Sequence, residues 1–330
     1  MQLRGINFRP VFNASGARGF FGEGYWFHRF WKWRGLTFEN CGFTAKTTTL
    51  LPRLNPKKKE GNMPLKTDGI TPAEWFPKCI VINHETGDVL NAVGLSGPGA
   101  ASLLARGEWQ KRRGEPWFLS FMAVGENTLQ RLNELDEFVE LLVEHKISEW
   151  NAKVGLELNF SCPNARHNPS HLVGEVGQAL DSAAALRIPL QCKFNALAPV
   201  GALCEIGTHH SCDAIVMGNT IPWGELPELI PWSEIFGTSV SPLAKFGGGG
   251  LSGPKLLPIH CAKILSLRDC NFPKPIWACG GIGSANAVLD YAEAGADGFQ
   301  IGSANITQPG NTSEIIDCAN NFRGVFLNHA

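Results

Sequence analysis

Gly155-Leu-Glu-Leu-Asn-Phe-Ser-Cys-Pro-Asn164 is the stretch from which the fold can be read. Leu156 and Leu158 alternate with Glu157 and Asn159, the period of a strand. Ser161, Cys162, Pro163 and Asn164 then break it with a turn. A thiol therefore sits just past a strand's carboxyl end. It lies between two carboxamides, Asn159 and Asn164, that each donate and accept hydrogen bonds. Barrel enzymes and open α/β sheets place their chemistry at that end of the strand. The plain alternative is a buried cysteine beside a turn-capping asparagine. The motifs further along the chain favour the first reading.

Outward from this stretch, strand-like runs recur at about 10–15, 42–46, 117–122, 154–160, 190–194, 213–218, 276–279 and 298–301. In the later half they alternate with helical patterns. Asn127 to Lys146 carries Leu129, Leu132, Leu135, Phe138, Leu141 and Leu142 at helical spacing. Gly174 to Leu186 and Ser284 to Ala294 are further helices, and Ala100 to Arg113 reads as another. Such alternation is the mark of parallel βαβ units. The expectation is an α/β chain folded as a single (β/α)8 TIM barrel over residues 1–330, with loop insertions at about 50–116 and 221–246. A hairpin is expected around Glu85-Thr-Gly-Asp88.

Composition narrows the function classes. A chain of 330 residues can bury a large core without staples. Lys+Arg is 29 against Asp+Glu 30, so no general attraction to nucleic acid or anionic lipid follows. Charged residues are 18 %, below the roughly 25 % of typical soluble domains, and 37 glycines fit many tight loops. The 10 cysteines form no Cys-x-x-Cys pair and no zinc spacing, so no metal site is expected. Cys192 and Cys279 fall inside apolar runs and read as reduced core residues of a cytoplasmic protein. No signal-peptide pattern opens the chain, and no run of about 18 apolar residues suggests a spanning helix.

Polar and small residues gather at the predicted strand ends. Ala14 and Ser15 would let a flat ring approach the backbone. Lys46 followed by Thr47 suits an anionic ligand, and Asn91 leads into the loop Gly94-Leu95. Lys193 interrupts a buried strand, which is costly unless the lysine is paired or functional. Asn219 and Thr220 follow the strand ending at Gly218. Three glycine-rich ends, Gly247–Gly253, Gly280–Gly283 and Gly302-Ser303, could cradle a phosphate. The segment Tyr25-Trp-Phe-His-Arg-Phe-Trp-Lys-Trp-Arg34 has two readings. It could lie on a membrane surface or stack on a nucleic acid. Alternatively, Trp26, Phe27, Phe30 and Trp33 form the inner stripe of a helix packed on the sheet, which the few basic residues favour.

Six motifs taken together resemble the dihydroorotate dehydrogenase family. They are Asn159-Phe-Ser-Cys-Pro-Asn164, Lys193, Gly218-Asn-Thr220, Gly250-Leu-Ser-Gly253, Gly280-Gly-Ile282 and Gln300-Ile-Gly-Ser303, in matching order and spacing across roughly 150–305. Asn13-Ala-Ser-Gly16, Lys46-Thr47 and Asn91-Ala-Val-Gly-Leu95 fit more loosely. The resemblance implies an FMN-binding barrel that oxidises (S)-dihydroorotate to orotate in de novo pyrimidine biosynthesis. It implies that Cys162 is the base taking the C5 proton, with hydride passing from C6 to N5 of FMN. The membrane-associated branch has serine there, so Cys162 points to the soluble branch. Lys193 matches the lysine at the flavin N1/O2 edge. Ala14, Ser15, Lys46, Thr47, Asn159, Gly218, Gly253, Gly280, Gly281, Gly302 and Ser303 match cofactor contacts. Lys46, Asn91, Gly94, Leu95, Asn159, Asn164, Asn219 and Thr220 match the grip on the pyrimidine. Family members are often dimers, which implies a homodimer. NAD use would require a partner subunit, whereas fumarate or quinone would not. A dihydropyrimidine dehydrogenase-like enzyme shares the barrel, but the second asparagine of the Cys-Pro-Asn turn argues for orotate. A tRNA dihydrouridine synthase-like enzyme needs a basic RNA face, against which the charge balance argues.

Overall fold

Seven parallel strands make one continuous sheet in the computed structural model, which describes residues 1–54, 60–160 and 169–322. Across the sheet the order is Val11–Asn13, Gly298–Ile301, Ile276–Cys279, Ala214–Met217, Leu190–Phe194, Val154–Asn159 and Trp117–Phe121. The two outer strands are joined by the segment 42–48. It forms parallel bridges from Gly42 to Phe12, from Thr44 to Phe118 and from Thr48 to Phe121. Gly42 N–H donates to the Val11 carbonyl at 2.8 Å, and Ala45 N–H to the Phe118 carbonyl at 2.9 Å. The predicted strand at 42–46 is therefore present as a bridging stave, and it closes the barrel.

Period-two alternation sends one set of side chains into the barrel and the other toward the helices. Leu156, Leu158, Leu190, Cys192 and Phe194 face outward into the main core under the helices. The inward set is layered. At the amino end of the strands Phe12, Phe118 and Trp277 form an apolar floor with Leu3 and Phe8, and Ala214 and Val216 line the same cluster. The rings of Phe12 and Phe118 meet edge-on at 5.3 Å, and Phe118 and Trp277 at 6.0 Å. Gly155 and Gly298 stand opposite these rings. A Cβ on Gly298 would lie 2.6 Å from Trp277 Nε1, and one on Gly155 would enter the Phe118 ring. Small residues on some staves thus make room for large ones on others.

The helices follow the expected pattern with local changes. Asn127 caps Thr128–Glu144 by accepting from Gln130 N–H at 2.9 Å. That helix buries Leu135, Phe138 and Leu142. Leu129, expected on the inner stripe, is exposed instead, while Arg131 turns inward and grips Glu175 of the helix Pro169–Ala183 at 2.6 Å through both Nε and Nη2. The helix expected over 100–113 is two pieces, Ala100–Ala105 and Glu108–Lys111, parted at Gly107 with φ 72°.

Both loop insertions contribute to a second, four-stranded antiparallel sheet. Ile80–Ile82 pairs with Val89–Asn91 as the expected hairpin, Val89–Asn91 with Gly250–Ser252, and that strand with Ile221–Pro222. Beneath it Leu90, Ile221, Ile230, Trp232, Ile235, Leu243 and Leu251 form a separate apolar cluster, against which Trp223 packs. The tryptophans of the 221–246 region serve this small core.

The aromatic segment departs from the packed-helix expectation. Trp26–Lys32 is a helix, yet His28 is its one buried residue. Trp26, Phe30 and Trp33 face solvent, and Phe27 is half-buried. The helix docks through His28 instead. Tyr25 N–H donates to Nδ1 at 3.1 Å, which leaves Nε2 to donate to the Asn305 carbonyl at 2.8 Å. Burial holds the His28 pKa below the ordinary value, so the ring is neutral in this contact.

Candidate active site at the carboxyl end of the barrel

Above the apolar floor the barrel interior turns polar. Glu157, Gln191, Ser120 and Gln300 are inward residues of four staves and all are buried. Glu157 accepts from Ser120 Oγ at 3.0 Å, from Gln191 Nε2 at 3.0 Å and from Gln300 Nε2 at 2.8 Å. Two residues beyond Gln191 on the strand Leu190–Phe194, Lys193 donates its ammonium to Gln300 Oε1 at 2.9 Å and lies 4.0 Å from Glu157. Burial works against this charge, but Cys279 and Glu157 beside it more than compensate and hold the Lys193 pKa above the ordinary value. Burial also pushes the Cys279 thiol pKa up, against the opposing pull of Lys193. The network thus delivers a fixed positive charge to the barrel mouth.

The rim above is a chain of hydrogen bonds between strand ends. Asn219 Nδ2 donates to Asn159 Oδ1 at 2.9 Å, Asn159 Nδ2 reaches Thr47 Oγ1 at 3.4 Å, and Thr47 meets Ser120 at 2.9 Å. Lys46 donates to the Ser96 carbonyl at 2.6 Å, which ties it to the loop holding Asn91, Gly94 and Leu95. Its ammonium also lies 4.7 Å over the Phe20 ring. Burial lowers the Lys46 pKa to about 8, against the opposing pull of Glu23. Asn91 Nδ2 lies 3.4 Å from the Gly250 carbonyl, and Thr220 abuts Gly250. Lys46, Thr47, Asn91, Asn159, Lys193, Asn219 and Thr220 therefore line the carboxyl end of one barrel. Ala14 is buried there and Ser15 follows it half-exposed, with Ala14 N–H on the Ile301 carbonyl at 2.8 Å, next to Gly302. Cys162 and Asn164 lie outside the described residues.

The glycine ends converge as well. Gly218 packs on the Cys279 carbonyl, one residue from Gly280. Gly281, at φ 74°, presses against the first turn of the helix Leu256–Asp269, where a Cβ would stand 2.8 Å from Leu257 N. Gly253 backs onto Asp88, whose carboxylate accepts from Lys255 N–H at 3.1 Å. Ser303 begins the short helix Ala304–Thr307. Behind this cradle His260 is fully buried against Gly280, and burial lowers its pKa to about 4, so it adds no charge.

A dihydroorotate dehydrogenase family model matches residues 31–321. The chain belongs to the dihydroorotate dehydrogenase family. It is accordingly an oxidoreductase that converts dihydroorotate to orotate in pyrimidine biosynthesis. Dihydroorotate dehydrogenase B (NAD(+)), catalytic subunit, of Listeria monocytogenes is 26 % identical over 316 residues, covering 94 % of this chain and 88 % of the relative. The protein of the same name from Halalkalibacterium halodurans is 26 % identical over 275 residues, covering 78 % and 79 %. In fold, a ligand-free DHODH from Eimeria tenella superposes with a TM-score of 0.66 at 17 % identity, covering 100 % of this chain and 91 % of that one.

In this dihydroorotate dehydrogenase, reading strand ends found the rim but missed the charge network below it. Glu157 and Gln191 stand two residues before Asn159 and Lys193, on the same inward face, so the alternation already carried that signal. Far from the mouth, Asp181, His209 and His210 bring ligand-type atoms within 4.8 Å of one another. Ser211 N–H, however, already donates to His209 Nδ1 at 3.2 Å, and the trio has no bearing on the barrel mouth.

Proposed function

We propose that the barrel mouth binds FMN and dihydroorotate, and that Cys162 and Lys193 carry the reaction. The observation that supports this most is the Lys193 ammonium, held by Gln300 and Glu157 at the carboxyl end of the strands. FMN, when bound, accepts the two electrons and the hydrogen removed from C6 of the substrate. Lys193 supplies fixed positive charge to a group that gains negative charge on reduction, an arrangement that needs no reorganisation during the reaction. The residues present suit the cofactor. Gly281 lets a loop lie flat against a helix start, where backbone amides favour a phosphate, and Ala14 leaves room for a ring.

Cys162 takes the proton from C5 of dihydroorotate. Asn159 and Asn219, bonded to each other, present amide edges to the pyrimidine with Asn164, Asn91 and Thr220. Lys46 holds the substrate carboxylate beside the backbone of Gly94 and Leu95. Thr47, Ser15, Gly218, Gly253, Gly280, Gly302 and Ser303 complete the cofactor contacts. The chain acts as one domain, in the cytoplasm, as a homodimer. A nicotinamide acceptor, named for the bacterial relatives described as catalytic subunits, would reach this flavin through a second kind of subunit.

The test is anaerobic stopped-flow mixing of the flavin-loaded protein with dihydroorotate and with dihydrouracil. Dihydroorotate should bleach the flavin, and dihydrouracil should not. Cys162→Ala should remain yellow and bleach more slowly by about 10²–10⁴-fold, the usual contribution of a general base. A wild-type rate in that variant would remove Cys162 from the chemistry. Protein that stays colourless after reconstitution would remove FMN.

A further inference from the structure

The first connection between barrel strands leaves a row of aromatic rings in water. Trp26, Phe30 and Trp33 recur at i, i+4 and i+7 on one face of the helix Trp26–Lys32 and its cap. They are 43 %, 53 % and 94 % exposed. The row continues onto a neighbouring turn. Trp26 stacks on Trp75 at 4.8 Å and meets Phe76 edge-on at 5.9 Å, and these two rings are 68 % and 81 % exposed. The opposite face is the anchored one. His28 bonds the Asn305 carbonyl, Trp31 packs on Gly310, and Ser313 bridges Gly35 and Thr37. The row therefore faces away from the barrel by construction.

The helix segment itself is cationic, and the turn adds Glu74 and Lys78, which offset each other. Residues 26–34 contain Arg29, Lys32 and Arg34 and no acid. At 100° per residue Arg29 flanks the aromatic row on one side and Arg34 on the other. Arg34 lies 4.4 Å over the Phe30 ring, so cation and aromatic faces are interleaved. Single exposed apolar residues need no explanation, but a row of exposed aromatic rings on one helix face and the adjoining turn does. Tryptophan beside basic residues has its most favourable setting at the boundary between water and lipid headgroups. A second copy of this chain fits poorly, because a two-fold contact through this face would set the same three cations against one another.

We propose that this face is a docking surface for an anionic lipid bilayer, which it engages peripherally. No helix among the described residues is long and apolar enough to cross a membrane. The aromatic rings enter the headgroup layer, and Arg29, Lys32 and Arg34 meet lipid phosphates.

The test is co-sedimentation of the full chain with vesicles of phosphatidylcholine alone and of phosphatidylcholine mixed with phosphatidylglycerol. The protein should pellet with the mixed vesicles, far less with the neutral ones, and salt should reverse binding. The triple variant Trp33→Ser, Trp75→Ser, Phe76→Ser and the double variant Arg29→Glu, Lys32→Glu should each weaken binding by roughly tenfold or more. Their unfolding midpoints, measured alongside, should match the parent. Protein that stays in the supernatant with both vesicle types would overturn the proposal, as would pelleting that both variants retain. Conversion of an oligomer to a monomer by the triple variant in light scattering would also overturn it, by assigning the face to a second copy.

Discussion

The barrel mouth and the helix Trp26–Lys32 invert the usual partition of residues in opposite directions. At the mouth, a carboxylate, an ammonium and three carboxamide or hydroxyl groups are sealed inside the strands, while at the helix and the turn beside it five aromatic rings are exposed. The polar residues are tolerated inside because each is paired. Glu157 accepts three hydrogen bonds, and Gln300 spans from it to Lys193. The aromatics outside have no such internal account, since the helix is held by one histidine and a few contacts on its other face. Buried polarity here is satisfied within the chain. Exposed apolarity points to something beyond it.

The sharpest way to break this contrast is to remove the counter-charge. Glu157→Leu should leave Lys193 buried without its carboxylate and lower the unfolding free energy by about 3–5 kcal/mol in urea titration. Glu157→Gln, which keeps acceptor and donor capacity, should lose less. A neutral or stabilising Glu157→Leu would mean that the lysine finds another partner and that the network is not what holds it. The apolar floor should be less sensitive. Gly155→Ala drives a methyl into the Phe118 ring and should lose about 1–3 kcal/mol as overpacking. No loss would show that the floor rings move freely.

A smaller effect concerns the rim. Lys46, with its pKa lowered to about 8 by burial, is charged below that pH and neutral above it. If it holds the substrate carboxylate, kcat/KM for dihydroorotate should fall up to tenfold per pH unit above about 8, because that profile reports the free enzyme. Lys46→Met should lower activity and abolish this limb. The stability effect has the opposite sign. Between about 8 and the ordinary 10.5 the unfolded chain binds the proton that the folded chain has released, so folding should gain stability as pH rises through that window.

How much of this was written in the sequence differs between the two regions for a physical reason. A strand's period of two assigns residues to opposite faces, and in a closed barrel the inward face is fixed by the fold. Once Asn159 and Lys193 are inward, Glu157 and Gln191 must be as well. A helix's period reveals a stripe but not the direction it faces. Trp26, Phe30 and Trp33 were recognisable as one stripe, yet its orientation depends on His28 meeting Asn305, 277 residues away. The cap sheet was hidden for the same reason. Val89–Asn91 pairs with Gly250–Ser252, and nothing local in either stretch announces the other. Cys162 was the most legible residue of all, and its chain environment lies outside the described residues.

The least effect is expected where the rings are most exposed. Trp33→Ser and Phe76→Ser remove side chains that contact little of the protein, and each should change unfolding free energy by no more than about 0.5 kcal/mol. A tryptophan of the same size in the barrel floor, such as Trp277, would lose several times that on truncation, since its buried contacts disappear and a cavity remains. Chemical denaturation of the isolated chain separates the cases. A loss above about 1 kcal/mol for Trp33→Ser would mean that the ring is already packed in solution, against a second copy or a repositioned loop. A null effect, with lipid binding lost in the same variant, would place the value of these rings wholly in what they dock against.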